Sequence, residues 1–271
     1  MVDVIPSRSD TEPTMLVLEP FEKTLWSARS RRPLTTREIK HIMKLALLGL
    51  REVHEKGLVY CDFKMENVLL NGFDNTNPAS DDVAIPLRIN VKLADLGSVM
   101  APDYGEVTSI TYRSPEVYFG KAWTSAIDIW AWGIAVRNST ALNMMGVLNN
   151  GPKSTFNSSK RRLIYIHLVH IYDSVIKEGT LEQKAEMVRA CQCHDFDLRS
   201  VEYFQDCDFS AIDDRGVKGG LNSGDEHWTD HLVALGIPEY DVVFLFAVLQ
   251  PDPTKRMTVD QILETGYLDV Y

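Results

Sequence analysis

The first long amphipathic pattern opens at Thr35-x-x-Glu38, a hydroxyl and a carboxylate three residues apart that can cap the first turn of a helix. Apolar residues follow at Ile39, Ile42, Met43, Ala46, Leu50 and Val53, the spacing that gathers them on one helical face. Leu45, Leu47 and Leu48 widen that stripe, so the predicted helix 36–56 packs on more than one side, deep in the core, and ends at Lys56-Gly57. From Thr124 to Arg137 the chain is nearly apolar throughout, which predicts a helix buried on all sides; Asp128 inside it then requires a partner. Further helices are predicted over 160–178, 181–190 and 239–250, and a last one, capped by Thr258-x-x-Gln261, to about residue 265.

Short apolar runs predict strands at Met15–Leu18, Leu58–Tyr60, Val68–Leu70 and Val91–Ala94. The first reads as a buried strand stopped by Glu19-Pro20, and the polar, proline-containing residues 1–14 before it as a segment outside the ordered part. Residues 71–90, rich in Asn, Asp and Pro, read as an exposed, mobile insertion. No internal repeat is present. The expectation is one mainly α domain with short β-strands over residues 15–268.

Composition fits a globular chain: 271 residues, 45% hydrophobic and 24% charged. A formal net charge of −10 argues against a surface that tracks nucleic-acid phosphates. No apolar run is long enough to span a bilayer and the N-terminus lacks the features of a secretory signal, so an intracellular location, cytoplasmic or nuclear, without a membrane partner is expected. The four cysteines are too sparse for a disulfide framework, and Cys191-x-Cys193-His194 lacks a second ligand pair for zinc.

The chemistry concentrates in Tyr60-Cys61-Asp62-Phe63-Lys64-Met65-Glu66-Asn67. The octet resembles the catalytic loop of protein kinases, and the phosphoryl transfer that this resemblance implies needs a carboxylate to orient the attacking hydroxyl and accept its proton, and a separate oxygen ligand for a metal bridging the phosphates. Asp62 and Asn67, five residues apart in one loop, offer both, and Lys64 matches the lysine whose charge, in Ser/Thr kinases, offsets charge growing on the transferred group. Asp95-Leu96-Gly97 resembles the D-F-G element that follows that loop, with Leu96 in place of Phe expected to keep an apolar contact. Thr111-Tyr112-Arg113-Ser114-Pro115-Glu116 resembles the end of the activation segment, with Arg113 characteristic of the CMGC group, which includes SR-protein kinases. Leu16–Phe21 resembles the hinge between the two kinase lobes, with Leu18 at the gatekeeper position.

The resemblance implies a protein-kinase-like C-terminal lobe (α+β) that transfers the ATP γ-phosphate to Ser or Thr hydroxyls of a protein substrate. Asp62 and Lys64 are then catalytic, and Asn67 and Asp95 hold Mg²⁺. Glu19 and Phe21 meet the adenine through their backbone, with Leu69 beneath its ring. By the same resemblance Asp128 holds the catalytic-loop backbone, Glu116 pairs with Arg256, and Ser109 takes the place of a threonine near the substrate. The chain departs from the pattern in two places. Tyr60-Cys61 replaces His-Arg, which removes the arginine that clamps an activation-segment phosphate and makes regulation by loop phosphorylation less expected. Only 14 residues precede the hinge strand, and they contain neither a glycine-rich phosphate loop nor its lysine strand, so the small lobe is expected to be missing. The alternative to an enzyme is an inactive, kinase-derived interaction module, and exposed apolar surface is expected to cause marginal stability or self-association. The oligomeric state and the substrate's identity are not legible.

Overall fold

Helix α2 (Thr36–His54) is the element on which the rest is assembled. The Thr35 hydroxyl accepts the Glu38 N–H, and the Glu38 carboxylate accepts the Thr35 N–H at 2.8 Å, so the predicted capping box is present. Ile39, Ile42, Met43, Ala46, Leu47 and Leu50 are buried along it; the larger of these contribute about 1.5–3 kcal/mol each through removal from water. The computed structural model describes residues 2–7, 9, 13–80, 82–136, 172, 178–212, 227–234 and 236–270.

Before α2 lie strands β1 (Asp3–Ile5), β2 (Met15–Val17) and β3 (Lys23–Thr24) and helix α1 (Leu25–Arg29). After it come β4 (Val68–Asn71), β5 (Asn90–Leu93) and helix α3 (Pro115–Tyr118). The helical stretch 126–136 is α4. Helices α5 (Leu181–Asp195), α6 (Trp228–Ala234), α7 (Glu239–Val248) and α8 (Val259–Glu264) complete the described elements. Strands β3, β4 and β5 form an antiparallel sheet in that order, with Leu69 opposite Thr24 on one side and Lys92 on the other. This sheet packs on α2, where Gly49 lets Leu93 approach: a Cβ at Gly49 would lie 3.0 Å from Leu93 Cγ.

Helix α4 is buried on every side, as its composition predicts: Ile127, Ile129, Trp130, Ala131, Trp132, Ile134, Ala135 and Val136 all lie in the core. Trp132 Nε1 donates to the Met43 carbonyl at 3.0 Å, tying α4 to α2. Gly133 leaves room for α7, since a Cβ there would meet Val248 Cγ1 at 2.7 Å. Helices 239–250 and 258–265 are found as α7 and α8, and 181–190 runs on to Asp195 because Cys191 and Cys193 continue its buried face. The helix predicted at 160–178 lies outside the described residues apart from its positions 172 and 178.

Three expectations are corrected. Asp3–Ile5 forms a strand antiparallel to Met15–Val17, so order begins before Met15; long-range pairing supplies what three residues cannot show locally. Strand β2 is exposed rather than buried, because its pairing runs along β1 and leaves Met15 and Leu16 facing solvent. The run Leu58–Tyr60 makes an isolated bridge, Val59 to Met100, rather than a strand. Residues 71–90 are exposed as predicted but tied down. Arg37 donates to the carbonyls of Ser80, Asp82 and Ile85, Arg32 donates to those of Asp74 and Asn77, and the buried Phe73 and Ile89 anchor the two ends. Glu38 joins these to the helix cap: burial raises its pKa, but Arg32, at 2.6 Å, and the backbone N–H groups of Thr35 and Ala79 outweigh that and hold it below the ordinary value.

Candidate active site

Asp128 organises the loop that carries the chemistry. It is fully buried in α4, and its Oδ2 accepts the Tyr60 N–H at 2.7 Å while its Oδ1 accepts the Cys61 N–H at 2.9 Å. His54 Nε2 lies 2.8 Å from Oδ2. These are the partners that a buried carboxylate requires. They hold Cys61 in the left-handed region, at φ 67°, which is uncommon for a side chain other than Gly, Asn or Asp and turns the chain so that Asp62 leaves the core. The Cys61 thiol, buried beside Asp128 and Asp62, is pushed up to about 12 by desolvation first and by the two carboxylates second.

Asp62 is partly buried and collects three donors. Lys64 Nζ donates to its Oδ2 at 2.6 Å, Asn67 Nδ2 to the same oxygen at 3.0 Å, and Ser109 Oγ to its Oδ1 at 3.1 Å. Asn67 Nδ2 also donates to the Asp62 carbonyl at 2.9 Å, closing the loop on itself and leaving the amide oxygen as an acceptor. The loop then becomes β4, whose alternation sends Val68 and Leu70 into the core and half-buried Leu69 to the other face.

Asp95 follows β5, and the Ala94 N–H donates to the Asn67 carbonyl at 2.9 Å, which fixes the end of β5 beside the loop of residues 60–67. The Asp95 backbone is left-handed, at φ 54°, and its exposed carboxylate has no hydrogen-bond or ion-pair partner among the described residues. The Tyr60 hydroxyl donates to the Ala94 carbonyl, and its ring meets Phe63 edge-on at 6.4 Å, so tyrosine packs where the kinase pattern has histidine. Burial, and after it the charges of Asp62, Asp95 and Asp128, raise the Tyr60 phenol well above its usual range. Leu96 does not keep the apolar contact expected of it; it is 61% exposed, since the turn of residues 96–98 directs it outward.

The segment after β2 is joined to β4 through Asn71, whose Nδ2 donates to the Pro20 carbonyl at 3.2 Å and whose Oδ1 accepts the Glu22 N–H at 2.8 Å. Phe21 is half-buried, and Glu19 pairs with Lys92 across the surface at 2.9 Å. Leu18 is 65% exposed, which excludes a place in the described core. At the far end of the lobe Glu116 and Arg256 form a fork, 2.8 and 3.1 Å, with both side chains 0% exposed. Arg256 also donates to the carbonyls of Ala126, Gln250 and Pro251, so its buried charge is well partnered. Sequence reasoning missed one buried polar residue near the site, Gln192 on α5, whose Nε2 donates to the Arg113 carbonyl at 2.8 Å; an isolated glutamine carries no motif that could have marked it.

Among the described residues no cluster of three or more His, Cys, Asp or Glu side chains surrounds a metal position, and no helix is long and apolar enough to cross a membrane. Residues 1–268 match the family described as "Protein kinase domain". The chain belongs to this family. Kinase domains use ATP with Mg²⁺ and act on protein substrates. A dual specificity protein kinase YAK1 homolog of Arabidopsis thaliana is 35% identical over 108 residues, 39% of this chain and 10% of that protein. A serine/threonine-protein kinase of Suid herpesvirus 1 (strain Kaplan) is 24% identical over 260 residues, 93% of this chain and 64% of that protein. The chain thus spans from a tenth to just under two thirds of the length of these two relatives. In fold it is similar to a chain of the yeast RNA Pol II CTD kinase CTDK-1 complex, with TM-score 0.57 and 15% identity, covering 97% of this chain and 72% of that one.

Proposed function

We propose that this kinase domain transfers the ATP γ-phosphate to Ser or Thr hydroxyls of a protein substrate, with Asp62 as the base. The observation that carries the reading is the convergence of Lys64, Asn67 and Ser109 on one carboxylate. A carboxylate with both oxygens held keeps one orientation, so a substrate hydroxyl beside it is presented in line for attack. Asp62 accepts the proton that the hydroxyl loses. Lys64, already within reach of Asp62, supplies positive charge to the equatorial oxygens of the transferred group. Ser109, from the activation segment, borders the place where a substrate residue is received.

The fit to a magnesium ion rests on Asp95 and Asn67. A small hard cation takes oxygen ligands and is commonly held by one or two protein groups together with phosphates and water. The unpartnered Asp95 carboxylate and the Asn67 amide oxygen, joined through the Ala94–Asn67 hydrogen bond, match that requirement. When bound, Mg²⁺ neutralises charge on the phosphates. The backbone of Glu19 and Phe21 would meet the adenine, and Leu69, half-buried on the face of β4 turned away from the core, would form its floor. Residues 15–268 act as hinge and C-terminal lobe.

An inactive interaction module is the second reading, favoured by Tyr60-Cys61 standing where the kinase pattern has His-Arg. Incubation of the chain with labelled ATP, Mg²⁺ and a generic basic protein separates the two. Transfer to Ser or Thr that disappears in Asp62→Asn supports the enzyme; its absence from a folded chain supports the module.

A further inference from the structure

Gln192 is 0% exposed, within α5, and a Leu or Met would fill the same space. The chain instead carries an amide there whose Nε2 bonds the Arg113 carbonyl at 2.8 Å and whose Oε1 is buried with no hydrogen-bond partner among the described residues. A half-satisfied buried amide is a standing cost to the fold and calls for a reason. The reason lies in what Arg113 does next. From the backbone point that Gln192 fixes, its guanidinium turns back along the activation segment. Nε donates to the Val107 carbonyl at 3.1 Å, Nη2 to the Thr108 carbonyl at 3.2 Å, and Nη1 lies 3.3 Å from Glu106 Oε2.

These contacts are unequal. The Glu106 side chain is 81% exposed, so its ion pair is screened and weak. The two carbonyl bonds come from a guanidinium only 10% exposed and are charge-assisted, so they dominate. They grip the one strained point of the segment: Thr108, β-branched, sits at φ 65° in the left-handed region. That turn delivers the next residue, Ser109, whose hydroxyl reaches Asp62 at 3.1 Å.

We infer that Gln192 is a positioning residue for phosphoryl transfer, acting through Arg113 and the Thr108 turn on Ser109 and Asp62. The inference rests on the reading of Asp62 as the base. Segment 106–113 therefore holds its shape through contacts within the lobe, without a phosphate on Thr108, Ser109 or Thr111. This agrees with Cys61 standing where the kinase pattern has a phosphate-clamping arginine.

The test is Gln192→Met, which keeps the volume and removes the N–H donor, followed by amide hydrogen exchange and by transfer kinetics with ATP, Mg²⁺ and a basic protein. Exchange over residues 106–112, where the Tyr112 N–H bonds the Ser109 carbonyl, becomes roughly tenfold faster, while α2 stays within about twofold of the wild type. The transfer rate constant falls roughly three- to tenfold with KM for ATP unchanged. If that variant does not fold, Arg113→Lys, which keeps the charge and loses the fork, gives the same local loosening. Exchange over 106–112 that is unchanged, or that accelerates equally throughout the chain, overturns the inference. A wild-type chain that transfers no phosphate refutes the kinase reading instead, and the exchange pattern still decides whether Gln192 holds the segment.

Discussion

Replacing Asp128 by asparagine should cost far more than its single-atom change suggests. The carboxylate accepts the Tyr60 N–H on one oxygen and the Cys61 N–H on the other, and both residues are almost fully buried. An asparagine offers one oxygen; its amide nitrogen then faces a backbone N–H, donor against donor. One charge-assisted hydrogen bond is lost and one buried donor is left unsatisfied, together about 3 kcal/mol. The surviving bond also weakens when its acceptor loses charge, and the left-handed Cys61 loses the contact that holds it. The measurement is a urea unfolding midpoint together with native-state exchange at Tyr60 and Cys61. The expected result is a loss of about 3 kcal/mol with the Cys61 amide deprotected first. A loss below about 1 kcal/mol, with Cys61 still protected, refutes the view that Asp128 sets the catalytic-loop backbone.

Four further outcomes follow from the same structure. Glu116→Ala leaves Arg256 as an uncompensated buried charge and should cost about 3–5 kcal/mol, whereas replacing both by apolar residues of similar volume recovers much of it; paired denaturation curves measure both. Cys61 and Cys191 are both raised to about 12, burial being the largest cause in each, so native Cys207, the one half-exposed thiol, alkylates first at pH 8. Because the fold keeps those two thiols neutral, their contribution is whole below the unfolded value of about 8.5 and is lost as pH rises towards 12; the alkaline fall in unfolding midpoint should be shallower in Cys61→Ala/Cys191→Ala. Met15, Leu16 and Leu18 are each more than half exposed on the β1–β2 hairpin, so sedimentation should show concentration-dependent self-association that Leu16→Lys with Leu18→Glu abolishes.

What could be read from the chain divides by range. Helix starts are local: a threonine and its partner three residues on capped α2 and α8 as the pattern requires, and the same geometry at Thr24 and Thr180 begins α1 and α5. The candidate loop was legible through its resemblance to a family motif whose chemistry needs particular residue types at short spacing, and Asp62, Lys64 and Asn67 stand within six positions of one another. Asp128 was legible as a problem, a charge in an apolar helix, and the structure supplies the partners in Tyr60, Cys61 and His54. Long-range pairing was not legible. Strand β1 exists by its register with β2, and residues 71–90 are held by Arg32 and Arg37 from more than forty positions away. Exposure misled where apolar residues were expected to be covered: the apolar run at Met15 predicted burial that β1 alone does not provide, and Leu96 follows a turn whose direction its residue type does not reveal. Gln192 was invisible because its meaning lies in one hydrogen bond to a residue 79 positions earlier.

The central claim is that Asp62 serves as the base of a Ser/Thr phosphoryl transfer. It is tested most directly by single-turnover transfer from labelled ATP, with Mg²⁺, to a basic protein, comparing the wild-type chain with Asp62→Asn. The account predicts Ser- or Thr-linked label from the wild type and a rate about 10²–10⁴ times lower in the variant, with unchanged thermal unfolding. Equal rates in the two proteins, or no transfer by a folded wild-type chain, would contradict it.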